Sequence, residues 1–280
     1  MGEKHYFQIP VSEALPLIQW LFFFKAWRLT GAFSSEKEAQ KEQIKREANE
    51  LLGKIIKDNL LQINAFVGIF PARSDDEDIC ICVENQEIRL PVLRQQQPAS
   101  DGFCYSLSDF LKPKDDHAGV FAVTVAGAEK MAEEFQNAGD SYNSILIKTL
   151  ADRLAEAASQ YLHYKVRTEI WAYAQNESFD IARLLKDDYQ GIRPAVGYPS
   201  LPDQSIIFDL DKIINFNKLD IKLTENGAMI PNASICGLYF AHPSAKYFMV
   251  GKIDTTQVAD YARRRGKTLD EMRKYLTVNL

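Results

Sequence analysis

Gly191-Ile192-Arg193-Pro194-Ala195-Val196-Gly197-Tyr198-Pro199-Ser200-Leu201-Pro202 is the stretch on which the reading of this chain turns. Three prolines and two glycines in twelve residues exclude both an ordinary helix and a central strand. Each proline fixes its own φ and drives the preceding residue out of the helical region, while the glycines permit turns closed to other residues. The product is a stiff, extended loop that holds Arg193 and Tyr198 with little freedom left to lose. A guanidinium fork, open backbone groups and an aromatic face form a clamp suited to a small molecule bearing a carboxylate. The same residues also read as a rigid connector whose arginine serves an internal ion pair.

Upstream of this loop the chain is helical. From Asp140 or Ser141 to about Tyr164 no Gly or Pro interrupts, and Ile147, Leu150, Leu154, Ala158 and Tyr161 or Leu162 form a core stripe. Glu156 lies off that stripe between small alanines, and His163 reads as a cap near the helix end. An earlier helix runs from a capping box at Ser35-x-x-Glu38 to about Leu61. Between them lie a buried strand over 65–70 ended by Pro71, a hairpin of 78–83 with 86–90 turning at Glu84-Asn85, and a second buried strand over 119–125.

Downstream of the loop, Gln204–Leu210 is followed by a weak strand over 221–224. The runs 235–240 and 247–253 then predict an antiparallel pair joined across His242-Pro243-Ser244. Thr255 or Thr256 starts a helix through Arg265, stopped by Gly266, and Thr268-x-x-Glu271 is a capping box for a last short helix. Arg263, Arg264 and Arg265 read as exposed charges complementing a helix end. Strands and helices do not alternate regularly, so the expected class is α+β.

Composition limits the function classes. The chain has 280 residues, 46% hydrophobic and 25% charged, and a net charge of −5. That is enough length for one large core, and the charge argues against a nucleic-acid surface spread over the chain. The run Trp20-Leu21-Phe22-Phe23-Phe24 is far shorter than the roughly 20 residues that span a bilayer. The N-terminus lacks a signal-peptide pattern, and four cysteines without paired knuckles or a histidine set argue against zinc. A cytoplasmic protein with free thiols, no membrane contact and no metal is the expectation. No nucleophile-base pair or phosphate-binding glycine loop is visible, so no residue is assigned a catalytic role.

The loop Arg193-Pro194-Ala195-Val196-Gly197-Tyr198-Pro199 resembles the Arg-Pro-Ala-x-Gly-Tyr-Pro signature of the C-terminal activation domain of cobalamin-dependent methionine synthase. Other tracts agree in the same order, among them 20–29, 66–72, 119–124, 150–157, 189–192, Tyr239-Phe240-x-His242-Pro243 and 260–264. The resemblance runs from about Leu15 to Leu280. It implies a single C-shaped α+β domain with a twisted antiparallel sheet and flanking helices over 1–280, with 1–14 as an N-terminal extension. It also implies binding of S-adenosylmethionine for reductive remethylation of cobalamin oxidised to cob(II)alamin. The cobalamin would be carried by a separate methionine synthase met in trans, and flavodoxin or another reductase would supply the electron.

Carried over by position, the resemblance implies that Arg193 pairs with the ligand carboxylate and that Ala195 offers backbone groups to the adenine. Tyr198 would stand near the sulfonium, facing the cobalamin, where a ring face attracts a cation. Glu156 matches a family glutamate, Asp187 stands where the family has a glutamate, and Tyr247 and Phe248 match an aromatic pair on the ligand. Two positions depart. Gln19 replaces a ligand-binding aspartate, and Gln204 replaces a histidine on the cobalamin-facing side. The alternative reading is a docking module of the same fold with weak or lost S-adenosylmethionine affinity.

Overall fold

The computed structural model describes residues 2–31 and 35–276. Its centre is an antiparallel sheet in the order β4-β3-β2-β5-β8, with β1 also paired to β2. The strands are β1 (Glu3–Ile9), β2 (Gln62–Asp75), β3 (Asp78–Val83), β4 (Gln86–Pro91), β5 (Asp116–Ala126) and β8 (Ser234–Tyr239); β6 (Lys222–Leu223) and β7 (Met229–Ile230) form a separate two-stranded ribbon. The α+β class with an antiparallel sheet is therefore as expected. The segment read as an N-terminal extension supplies β1, which pairs with β2 from Glu3↔Ile69 to Ile9↔Ile63.

Alternation along the strands separates two cores. Ala65, Val67, Phe121, Val123 and Tyr239 face one side, and Phe66, Val120, Ala122, Leu238 and Phe240 face the other. The helices are α1 (Val11–Ala14), α2 (Trp20–Ala26), α3 (Ser35–Asp58), α4 (Ala128–Asn137), α5 (Ser141–Lys165), α6 (Ile181–Leu184), α7 (Ile207–Ile214), α8 (Thr255–Arg264) and α9 (Leu269–Tyr275). The long helix α5 buries Ile147, Leu150, Leu154, Ala158 and Leu162 against the first face, while Leu210, Ile213 and Ile214 of α7 cover the second. Asp140 caps α5 by accepting from the Asn143 amide. Glu84 and Asn85 both take positive φ, as a two-residue hairpin turn between β3 and β4 requires.

Four expectations are corrected. Residues 247–253 form no strand; they run as an extended strap, tied by Val250 N–H donating to Pro199 O at 2.9 Å and by Gln95 Nε2 donating to Met249 O at 2.8 Å. The edge of β8 that this strap would have taken is occupied by the proline loop. His163 is no helix cap: α5 continues past it into a π-helical turn over Val166–Ile170, and the ring is wholly buried, stacked on Tyr239. Asp254 starts α8, accepting from Gln257 N–H, because its extended backbone fits the cap position. Arg264 and Arg265 are not solvated charges. The Arg265 side chain is 6% exposed and pairs with Asp203 at 3.1 Å and Asp209 at 2.7 Å, while Arg264 reaches Asp78 and Asp260. The Arg264–Asp78 pair fastens the small C-terminal core of Val258, Tyr261, Met272 and Leu276 to β3, and the Arg265 pairs fasten it to α7 and the turn before it. The capping box of Thr268 with Glu271 is present as read; residues 277–280 lie outside the described residues.

Candidate functional site

Because β8 is the last strand of the sheet, its outer edge must be covered. The proline loop covers it. Ile192 and Phe240 exchange backbone bonds at 3.0 Å, Leu238 N–H donates to Pro194 O at 3.0 Å, and Val196 N–H donates to Cys236 O at 2.9 Å. Pro194 has no N–H to waste at such an edge, so it supplies only an acceptor. Gly237 makes the approach possible: a Cβ there would collide with Pro194 O and come within 2.8 Å of Ala195 Cα. Glycine at 237 thus lets the backbone of 194–195 lie flat on the sheet.

Above this junction opens a cleft of about 640 Å³. Its floor is Phe121 and Ile235 from the sheet. One wall is α5 with Arg153, Glu156, Ser159 and Gln160, and the opposite rim is the strap with Tyr247, Phe248 and Met249. Leu17, Gln19 and Phe22 close the side near α2. The structure brings together Arg193, Ala195, Tyr198, Glu156, Asp187, Tyr247, Phe248 and Gln19 in the lining of this one cleft. Gln204 is not part of that lining. Its amide donates to Gly227 O at 2.8 Å, and its other side-chain atom lies against Gly197 behind the loop.

The Arg193 side chain is 13% exposed and held on one side only. Nη1 donates to Tyr189 Oη at 2.7 Å, Asp187 Oδ1 at 3.2 Å and Tyr247 Oη at 3.4 Å. The Arg193 backbone N–H donates to the same Tyr247 oxygen at 3.0 Å. Nε and Nη2 bond to none of the described residues, and this is the edge that grips a carboxylate with two parallel bonds. Burial disfavours the charge, but Tyr189, Tyr247, Asp187 and Glu156 together raise the guanidinium well above its ordinary value, so it is a permanent cation. Asp187 adopts a positive φ of 53°, which turns its carboxylate back towards Arg193.

Across the cleft, Tyr198 donates to Glu156 Oε1. Burial and then the Glu156 charge push the Tyr198 phenol up, which keeps it protonated as a donor. The tie holds a 45% exposed ring upright at the cleft mouth. Glu156 Oε2 makes no bond to a described residue. The cleft therefore offers a cation edge, a carboxylate oxygen and aromatic faces in one lining. Arg153 also lines it, with no ion pair among the described residues.

Sequence reasoning missed Arg153, Gln160 and Tyr189. Arg153 and Gln160 share the cleft face of α5 with Glu156, at the i−3 and i+4 spacing that places helical side chains together. That spacing could have found them. Tyr189 could not be found this way, since only the folded loop places its oxygen against Arg193. Among the described residues no cluster of His, Cys, Asp or Glu is placed to hold a metal, and no helix is long and apolar enough to cross a membrane.

Comparison with known proteins agrees with this architecture. The family model for the vitamin B12 dependent methionine synthase activation domain matches residues 10–266. A solved structure described as the MetH reactivation domain bound to AdoHcy is 36% identical, superposes with a TM-score of 0.90, and is matched over 99% of this chain and 90% of its own length. The chain belongs to the family of vitamin B12-dependent methionine synthase activation domains.

Proposed function

We propose that the cleft binds S-adenosylmethionine and presents its methyl group for the reductive remethylation of cobalamin carried by a methionine synthase met in trans. The observation that carries the proposal is the half-satisfied guanidinium of Arg193. Its Nη1 is anchored while Nε and Nη2 remain open beside a cleft of ligand size. The bound AdoHcy in the similar reactivation domain supports the same class of ligand.

The fit follows from the ligand's chemistry. Its carboxylate suits the open Arg193 edge, where a lysine would offer a point charge and no fork. Its ammonium suits Glu156 Oε2 and the amide oxygen of Gln19. The adenine suits the flat backbone at Ala195, which carries only a methyl group. The sulfonium suits the ring face of Tyr198. Methyl transfer to cobalamin is a displacement at carbon, so the protein contributes alignment and exclusion of water and needs no general base. The cobalamin supplies the nucleophile after one-electron reduction by flavodoxin or another reductase. Tyr198, standing exposed at the mouth, is the proposed contact towards it, and Gln204 supports the loop from behind.

The test combines this chain, a cobalamin-carrying methionine synthase, a reductant and methyl-labelled S-adenosylmethionine. Label transferred to cobalamin only when all four are present supports the proposal. Undiminished transfer with Arg193→Ala would favour a docking module without useful ligand affinity.

A further inference from the structure

Behind Arg193 lies an arrangement more costly than stability requires. Arg167 has a fully buried side chain, yet among the described residues its charge is matched only by Glu177, through Nε at 2.7 Å and Nη2 at 2.6 Å. Replacing such a pair with apolar side chains is often neutral or stabilising, so burial of the pair alone does not account for it. The backbone is also unusual there. A π-helical turn over Val166–Ile170 carries Arg167, and Ala172 adopts a positive φ of 59°, a strained conformation for alanine. Trp171 and Ala172 N–H both close on Val166 O, and Ala174 N–H donates to Arg167 O at 2.8 Å, which folds the chain around the arginine and delivers Glu177.

The fork thus occupied leaves the flat face of the Arg167 guanidinium free, and it lies 3.7 Å from the centre of the Tyr189 ring. The same ring meets His163 in a T-shaped contact at 90°, 5.2 Å between centres. Tyr189 is therefore fixed by two ring contacts, and its hydroxyl stands beside Arg193. That oxygen accepts from Arg193 Nη1 at 2.7 Å and stands 2.6 Å from Asp187 Oδ1 and 3.1 Å from Gln160 Oε1. Its single proton goes to the nearer, charged Asp187, and its lone pair holds Arg193.

We infer that the Arg167–Glu177 pair and Tyr189 form a positioning unit for Arg193, which sets the guanidinium edge that receives the ligand's carboxylate. This rests on the proposed function and extends it: Arg167 and Tyr189 touch no ligand but determine selectivity for ligands that carry an amino-acid tail. Without Tyr189 Oη, Arg193 keeps its longer contacts to Asp187 and Tyr247 and swings between them.

The experiment compares two probes by calorimetry, S-adenosylhomocysteine and methylthioadenosine, which share the adenosine but differ in the carboxylate tail. Tyr189→Phe keeps the ring and removes one bond to a charged group, so affinity for S-adenosylhomocysteine falls about tenfold while that for methylthioadenosine is unchanged. Arg167→Lys, which cannot both stack and fork, gives the same selective loss. In the Arg193→Ala background Tyr189→Phe has no further effect on either probe. Equal losses for both probes, or no loss in Tyr189→Phe with wild-type thermal stability, would overturn the inference. Should Arg167→Lys not fold, the Tyr189→Phe comparison decides alone. Failure of the wild-type chain to bind S-adenosylhomocysteine at all would instead refute the proposed function.

Discussion

Gln19→Asp tests whether position 19 faces the ligand's ammonium. Gln19 lines the cleft and is the residue before α2, where its side chain caps no backbone N–H. An amide oxygen on the ammonium is already a bond to a charged group, so converting it to a carboxylate adds only the attraction between opposite charges, about 0.2–1 kcal/mol at a solvent-accessible site, or up to roughly fivefold in affinity. The gain has a competitor, because aspartate is also a favoured helix cap. A carboxylate turned onto the α2 amides would raise stability by about 1 kcal/mol and leave the ligand untouched. Two readouts separate these outcomes: calorimetric titration with S-adenosylmethionine at low and high salt, and thermal melting without ligand. Tighter binding that weakens with salt is the expected result. Unchanged affinity with a raised melting temperature would refute the assignment of position 19 to the ligand.

Gly237→Ala is expected to lift the proline loop from β8, since the new Cβ meets Pro194 O and approaches Ala195 Cα at 2.8 Å. Ligand affinity should fall by more than tenfold with a stability loss of about 1–3 kcal/mol, and normal binding would contradict the packing argument. Burial, and then the Arg167 and Arg193 charges, hold the His163 pKa well below its ordinary value. The unfolded chain then binds the extra proton, so stability is full above about pH 6.5 and declines as pH falls below it. His163→Gln should flatten the melting profile between about pH 7.5 and about pH 5.5, and an unaltered profile would assign that loss to other groups. Arg265→Met leaves buried Asp203 without its cation, at a cost of about 3–5 kcal/mol. Urea denaturation of this variant should show that loss, and a stability within about 1 kcal/mol of wild type would refute the anchoring role given to the pair.

The proline loop was legible because its chemistry is local: three prolines and two glycines leave few backbone choices whatever surrounds them. The α5 stripe and the β3–β4 turn were legible for the same reason, through 3.6-residue periodicity and a two-residue turn. Residues 247–253 misled because a run of aromatic and aliphatic residues, Tyr247-Phe248-Met249-Val250, suits an extended strap as well as a strand. Strand pairing there was forestalled by long-range contacts, with Pro199, Gln95 and Gln96 supplying the partners for Val250, Met249 and Asp254. The arginines at 264 and 265 misled in turn, because apart from Asp260 on the same helix the carboxylates that bury them lie at 78, 203 and 209, far away in sequence. Tyr189 shows the limit most clearly. Its sequence neighbours mark a turn, while its place in the site depends on a π-helical turn that begins more than twenty residues earlier.

A crystal structure of the chain with S-adenosylhomocysteine tests the central claim most directly. The ligand carboxylate should accept from Arg193 Nε and Nη2 at about 2.7–2.9 Å, with Nη1 still on Tyr189 and the adenine over Ala195. An empty cleft under saturating ligand, or a ligand bound with its carboxylate away from that edge, would contradict the account.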